Sequence, residues 1–207
     1  MSDFVEVPRI RTKFGKDSFI FGVGINDAAY KVTLKVGGKL STCPYYRTWK
    51  NLLARLYCPA FLISNPTYIN CTITPAWLSF TNFKAWMEQQ DWKGKQLDKD
   101  ILVKNNKHYS PETCMFIPPR VNKLLNNQDA GRGTCKLGVS YRTDSKNFKA
   151  SCNDGFKVVS LGSFATEDEA HLTYLKFKKT VIINCANEQT DLRLKQALLT
   201  IADSYII

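Results

Sequence analysis

The chain has 207 residues, 44% apolar and 12% aromatic, which excludes a disordered tail and leaves room for one generous or two compact domains. Its formal net charge is +11, from 29 Lys and Arg against 18 Asp and Glu. No apolar run approaches the ~18 residues of a membrane span, and MSDFVEVPRIRTKFGKD has no apolar stretch behind its charges, so neither a membrane nor a secretory leader is expected.

In chain order, alternation in SFIFGVGINDAAYKVTLKVGGKLS predicts strands over about Phe19 to Val23 and Tyr30 to Lys35, with turns at GIND and VGGK. CPYYRTWKNLLARLY then switches to helical spacing. Tyr45, Trp49, Leu52, Leu53 and Leu56 form one stripe, Pro44 suits the first turn, and Arg47, Lys50 and Arg55 fall on the wetter side. NPTYINCTITPAWLS reads as loop with a short strand. SFTNFKAWMEQQ reads as a second helix whose Phe80, Phe83, Trp86 and Met87 are core residues.

Next comes a polar hairpin: a strand over Leu97 to Val103, a loop KNNKHYSPE, a strand TCMFIP and a helix PRVNKLLNNQ with Pro119 near its start. The stretch at 128–136, QDAGRGTCK, reads as a linker. Beyond it LGVSYR, FKASCN and KVVSLGSF are three short strands. TEDEAHLTYLKFKKTVI follows as a helix with Thr166 as N-cap and acidic residues in its first turn, where they complement the helix dipole. A last amphipathic helix is expected over about Glu188 to Ser204. The fold class is therefore α+β, in two modules: 1–127, and 137–207 after the linker.

Charge is the strongest compositional signal. From Ala28 to Met87 there is no Asp or Glu, while Lys31, Lys35, Lys39, Arg47, Lys50, Arg55 and Lys84 are basic. Such a window sustains a positive potential that favours a polyanion, most simply nucleic acid; an acidic protein partner is the alternative. The seven cysteines are odd in number and lack a CxxC pair, which suits free thiols in a reducing compartment. A structural zinc site from Cys43, Cys71 and Cys114 is not expected, because short-range ligand spacing is missing.

The residues LDKD…NN…YSPETCMFIPPRVN, with the approach CPYYRTWKNLLARLY…PTYINCTI…WLSFTNFKAWM, resemble phage HNH (ββα-metal) homing endonucleases over about 20 to 127. The resemblance implies a ββα-metal fold and cleavage or nicking of a DNA phosphodiester with a divalent metal. It places a metal ligand at Asp98 and another at Asn122, and oxygen ligands of this kind suit Mg²⁺. Two positions depart from the pattern: Lys99 stands where the family has its histidine base, and Thr113 where it has an orienting Asn. Lys99 and the loop residue His108 are the candidates for the remaining catalytic role, and Asp100 either orients water or pairs with Lys99.

GVSYRTDSKNFKASCNDGFKVVSLGSFATEDEAHLTYLKF resembles the APETALA2-type DNA-binding domain, over about 137 to 180. That implies a three-stranded antiparallel sheet packed on one helix, its other face in the major groove. If Val139, Tyr141, Phe148 and Ala150 turn to the core, Ser140, Arg142, Lys149 and Ser151 face the groove. Lys146 then reaches a phosphate from the turn, and Arg142 is the best base reader. His171 reads as structural. Together the resemblances imply a DNA-binding endonuclease working on double-stranded DNA in the cytoplasm of a bacterial host. The alternatives are a catalytically lapsed DNA-binding regulator and an RNA-binding or virion-associated protein. The sequence does not distinguish a monomer from a homodimer.

Overall fold

Helix-period apolar stripes and glycine-marked turns organise the N-terminal half of the chain. The structure, a computed structural model, describes residues 4–9, 19–126 and 134–205. By contact density it divides into two units: Met1–Lys93 with Leu97–Phe116, and Gly94–Gln96 with Ile117–Ile207. Among the described residues the architecture is α+β, with six α-helices and several small sheets, one of them three-stranded and antiparallel. None of these helices is long and apolar enough to cross a membrane.

In the first unit, α1 (Pro44–Tyr57) buries Tyr46, Trp49, Leu52, Leu53 and Leu56, nearly the expected stripe; Tyr45 lies half-buried beside it. The Trp49 indole N–H donates to the Trp77 carbonyl at 2.7 Å, so its one polar atom is satisfied inside the core. Helix α2 (Pro59–Ser64) and two short 3-10 turns, Pro66–Tyr68 and Pro75–Leu78, lead to α3 (Phe80–Glu88), which buries Phe80, Phe83 and Met87. Edge-on rings (Tyr46 on Phe80 at 5.3 Å, Trp77 on Phe83 at 5.2 Å) fill the space between the helices. The N-terminus of α3 is held by Ser79 and by Asp27. The Asp27 carboxylate accepts from the Ser79 and Thr81 hydroxyls at 2.6 and 2.7 Å and from the Thr81 amide at 2.9 Å.

The strand expected over Phe19 to Val23 is instead a tight turn. Ile20 and Gly24 exchange backbone hydrogen bonds, and Phe21 and Gly22 both take positive φ. Gly24 is there because of crowding: a Cβ would lie 2.3 Å from Leu53 Cδ1. The strand expected to end at Lys35 is β1 (Thr33–Val36). It pairs antiparallel with β2 (Lys39–Thr42) across Gly37 and Gly38, both at positive φ.

The short strand expected in NPTYINCTITPAWLS is β3 (Thr72–Ile73); it runs parallel to β5 (His108–Tyr109), which lies in what the sequence presents as loop. A second small sheet joins β4 (Gln96–Asp98) and β6 (Met115–Ile117). The strand expected over Leu97 to Val103 stops at Asp98, because that side chain accepts hydrogen bonds from the Asp100 and Ile101 amides and turns the chain.

In the second unit, β7 (Val139–Arg142), β8 (Asn147–Asn153) and β9 (Val158–Phe164) form the antiparallel sheet in that order. Helix α5 (Glu167–Asn187) packs on it. It opens with a full capping box: the Thr166 hydroxyl accepts from the Glu169 amide and the Glu169 carboxylate from the Thr166 amide. Val139, Ala150 and Ala170 form the sheet–helix core. The C-terminal half of α5 buries Ile182, Cys185 and Ala186, and α6 (Leu192–Asp203), which packs on α5, buries Leu194, Leu198 and Ala202.

Helix α4 (Pro119–Leu125) also belongs to this unit. Arg120 pairs with Glu188 and lies over the Phe156 ring at 4.1 Å, and the buried Lys178 ammonium donates to the Leu124 carbonyl. Of the expected linker, 128–133 lies outside the described residues.

Candidate functional site

Most of the polar residues singled out by the sequence lie in two regions. The first is the turn after β4. Asp98 is half-buried, and its Oδ1 accepts from the Ile101 and Asp100 amides at 2.8 and 3.0 Å. Burial pushes its carboxyl above the ordinary range, and repulsion from Asp100 adds to this; the two amide bonds only partly offset it. Lys99 donates to Asp100 Oδ2 at 2.8 Å, the pairing weighed as one role for Asp100, and lies 6.0 Å from the Tyr109 ring centroid.

His108 is half-buried, with its Nδ1 2.8 Å from the Thr72 hydroxyl. Thr113 donates its hydroxyl to the His108 carbonyl at 2.7 Å. It therefore fixes the His108 backbone.

Asn106 is the residue that sequence reasoning missed. Its amide nitrogen donates to the carbonyls of Lys99 at 2.7 Å and His108 at 2.6 Å, and its Oδ1 accepts from the His108 amide at 3.0 Å. One side chain thus sews the turn after β4 to the start of β5. The available signal was an Asn two residues ahead of a strand, the spacing of an Asx turn.

Asp98 lies in the first unit and Asn122 in the second. Within its own unit, Asn122 Nδ2 donates to Gln96 Oε1 at 2.7 Å. Among the described residues no three His, Cys, Asp or Glu side chains gather as a metal donor set. In the first unit, Asp98 Oδ1 and Asp100 Oδ2 already have hydrogen-bonding or ionic partners. Burial pushes the neighbouring Cys114 thiol up to about 12, so it is no nucleophile at neutral pH.

The second region is the three-stranded sheet. Val139 pairs with Ala150 and Ala150 with Gly162; Tyr141 pairs with Phe148 and Phe148 with Phe164. These rows form the face toward α5. Tyr141 is nevertheless 47% exposed, because it lies toward the outer end of β7 with its ring against Phe148, 5.1 Å away. The alternate rows are Ser140–Lys149–Ser163 and Arg142–Asn147. Past an irregularity between Ala150 and Ser151, Ser151 pairs with Ser160.

This second face carries two cations among small hydroxyl side chains, and none of the three strands contains a carboxylate. Ser140 and Arg142 are exposed, Lys149 and Ser151 half-buried. Lys146 sits exposed in the β7–β8 turn at φ 50°. His171 Nδ1 lies 2.9 Å from the Leu137 carbonyl, a structural tie.

On α1, Arg47 and Lys50 are exposed. Arg55 is half-buried, donating to the Leu97 carbonyl at 3.4 Å and lying 5.9 Å from the Tyr68 ring centroid. No protein-family model, curated protein or solved structure matches the chain.

Proposed function

We propose that the protein binds double-stranded DNA, with the face of β7, β8 and β9 that bears Ser140, Arg142, Lys149 and Ser151 as its reading surface. The observation that carries this is the register. It sets Arg142 and Lys149 on a carboxylate-free sheet face whose other side chains are short enough to let a groove approach closely. A sheet backed by one capped helix is also what the APETALA2 resemblance implies. Arg142 presents two donors to guanine, while Lys146 and Lys149 reach phosphates.

Binding of a labelled duplex over a salt series tests it. Arg142→Ala costs about 1–3 kcal/mol and relaxes specificity, whereas Lys146→Ala weakens all sequences alike and lowers the salt slope by about 1. A parent protein indifferent to duplex DNA, or variants with unchanged affinity, would overturn the reading.

A second reading, metal-dependent nicking of DNA at the polar hairpin, is favoured by the raised Asp98 carboxyl and its mutual repulsion with Asp100, which a divalent cation would relieve. In this reading Asp98 would be a ligand of Mg²⁺, which would neutralise charge on the phosphate. Supercoiled DNA incubated with Mg²⁺ is nicked by the parent and not by Asp98→Ala. Retained binding without nicking over several divalent metals makes the protein a DNA-binding regulator. The bacterial cytoplasm as its working compartment follows from the same resemblance.

A further inference from the structure

The β1–β2 hairpin is a ribbon with little behind it. All of its residues are exposed except Leu34 and Thr42, which are half-buried. At its tip Val36 is 62% and Leu40 77% exposed, and a Cβ added at Gly37 or Gly38 would meet nothing. Register places Lys35 directly across from Leu40 and Val36 across from Lys39, so at the tip each face of the ribbon presents one cation beside one exposed aliphatic side chain. The base is anchored: the Cys43 amide donates to the Val32 carbonyl at 2.8 Å, and Cys43 and Tyr30 are buried.

Lysines on an exposed strand guard against strand addition, but exposed Val36 and Leu40 at the tip work against that use. An unsupported two-strand ribbon is marginal by itself, so its form points to a partner that completes it. Charge names the kind of partner. Lys31, Lys35 and Lys39 lie in the window from Ala28 to Met87 that contains no acidic residue. Dimensions agree: two strands about 4.8 Å apart, with their side chains, match a major groove about 12 Å wide, which admits a two-stranded ribbon.

We propose that the β1–β2 ribbon is a second DNA-contacting element, entering the groove of a duplex with Lys35 and Lys39 on phosphates or guanine edges and Val36 and Leu40 against thymine methyl groups. The proposal rests on the DNA-binding reading above and adds a contact in the other unit of the chain.

The test uses the full chain with a mixed-sequence duplex and, separately, vesicles of phosphatidylserine and phosphatidylcholine. Lys35→Ala with Lys39→Ala should weaken duplex binding roughly tenfold or more and reduce the slope of log K against log salt by about 2. Val36→Ser with Leu40→Ser should weaken it with the slope unchanged. Acetylation of Lys35 and Lys39, read by mass spectrometry on the parent protein, should be suppressed by duplex. That readout needs no variant to fold.

Variants that bind duplex as the parent does, with both lysines still acetylated, overturn the ribbon proposal and leave the sheet reading standing. A parent that binds no duplex overturns both. Binding to vesicles that the ribbon variants abolish, with duplex binding untouched, assigns the ribbon to an anionic membrane surface and overturns its role on DNA.

Discussion

A single half-buried carboxylate sets the course of the polar hairpin, and its chemistry can be separated from its charge. Because burial and then Asp100 raise the Asp98 carboxyl, the ionised group costs folding free energy once pH exceeds its unfolded-state value. Asn at this position can still accept both amides without the charge. Asp98→Asn should therefore match or exceed the parent in urea-unfolding stability at neutral pH. The advantage should shrink as pH falls through the folded-state value, where the parent carboxyl is also uncharged. Asp98→Ala leaves the two amides without their acceptor and should cost about 1–3 kcal/mol in the same measurement. Asn106→Ala should also be costly, about 2 kcal/mol, because three hydrogen bonds end on that one amide group. A stability unchanged by Asn106→Ala would show that the hairpin keeps its shape without this stitch.

At the level of helices and strands, α1, α3, α5 and the three C-terminal strands were legible in the sequence. For α1 and α3 the signal was an apolar helical stripe, with Pro44 in the first turn of α1; for α5 it was Thr166 ahead of an acidic first turn; for the strands it was their short apolar runs between turns. What could not be read were features made by distant partners. Alternation near Phe19 looked like a strand, but Trp49 and Leu53 press on Gly24 and leave room for a turn. Nothing local in PRVNKLL announces that α4 belongs with α5 and α6; that follows from Lys178 reaching Leu124 and Arg120 reaching Glu188.

The same limit hid the Asp27 tie to α3. Burial alone would raise the Asp27 carboxyl, but the Ser79 and Thr81 bonds outweigh it and hold it below the ordinary range. That contribution is present above the unfolded-state pKa and is lost as pH falls through the lower folded value. Asp27→Ala should cost about 1 kcal/mol at neutral pH, as a lost helix cap does, and should flatten the acid limb of the stability curve. In the second unit, Gly138→Ala should be more damaging, at about 2 kcal/mol or more. Gly138 has φ +81°, and a Cβ there would lie 2.1 Å from the Tyr174 ring. Thermal unfolding of each variant checks both.

For the molecule as a whole, a net charge of +11 makes ionic strength the first variable to control, since affinity for a polyanion falls as a power of salt concentration. An interaction with DNA that ignores salt would contradict every nucleic-acid role argued above. Helix α5 has a different consequence. Its 21 residues span about 31 Å, more than the sheet-facing stretch around Ala170 and Tyr174 requires, and its far half shares a core with α6. A fragment of this unit cut after Asn187 would bare Ile182, Cys185 and Ala186 to water and should aggregate. Anyone transplanting this sheet into another protein would have to carry the last helix along as ballast.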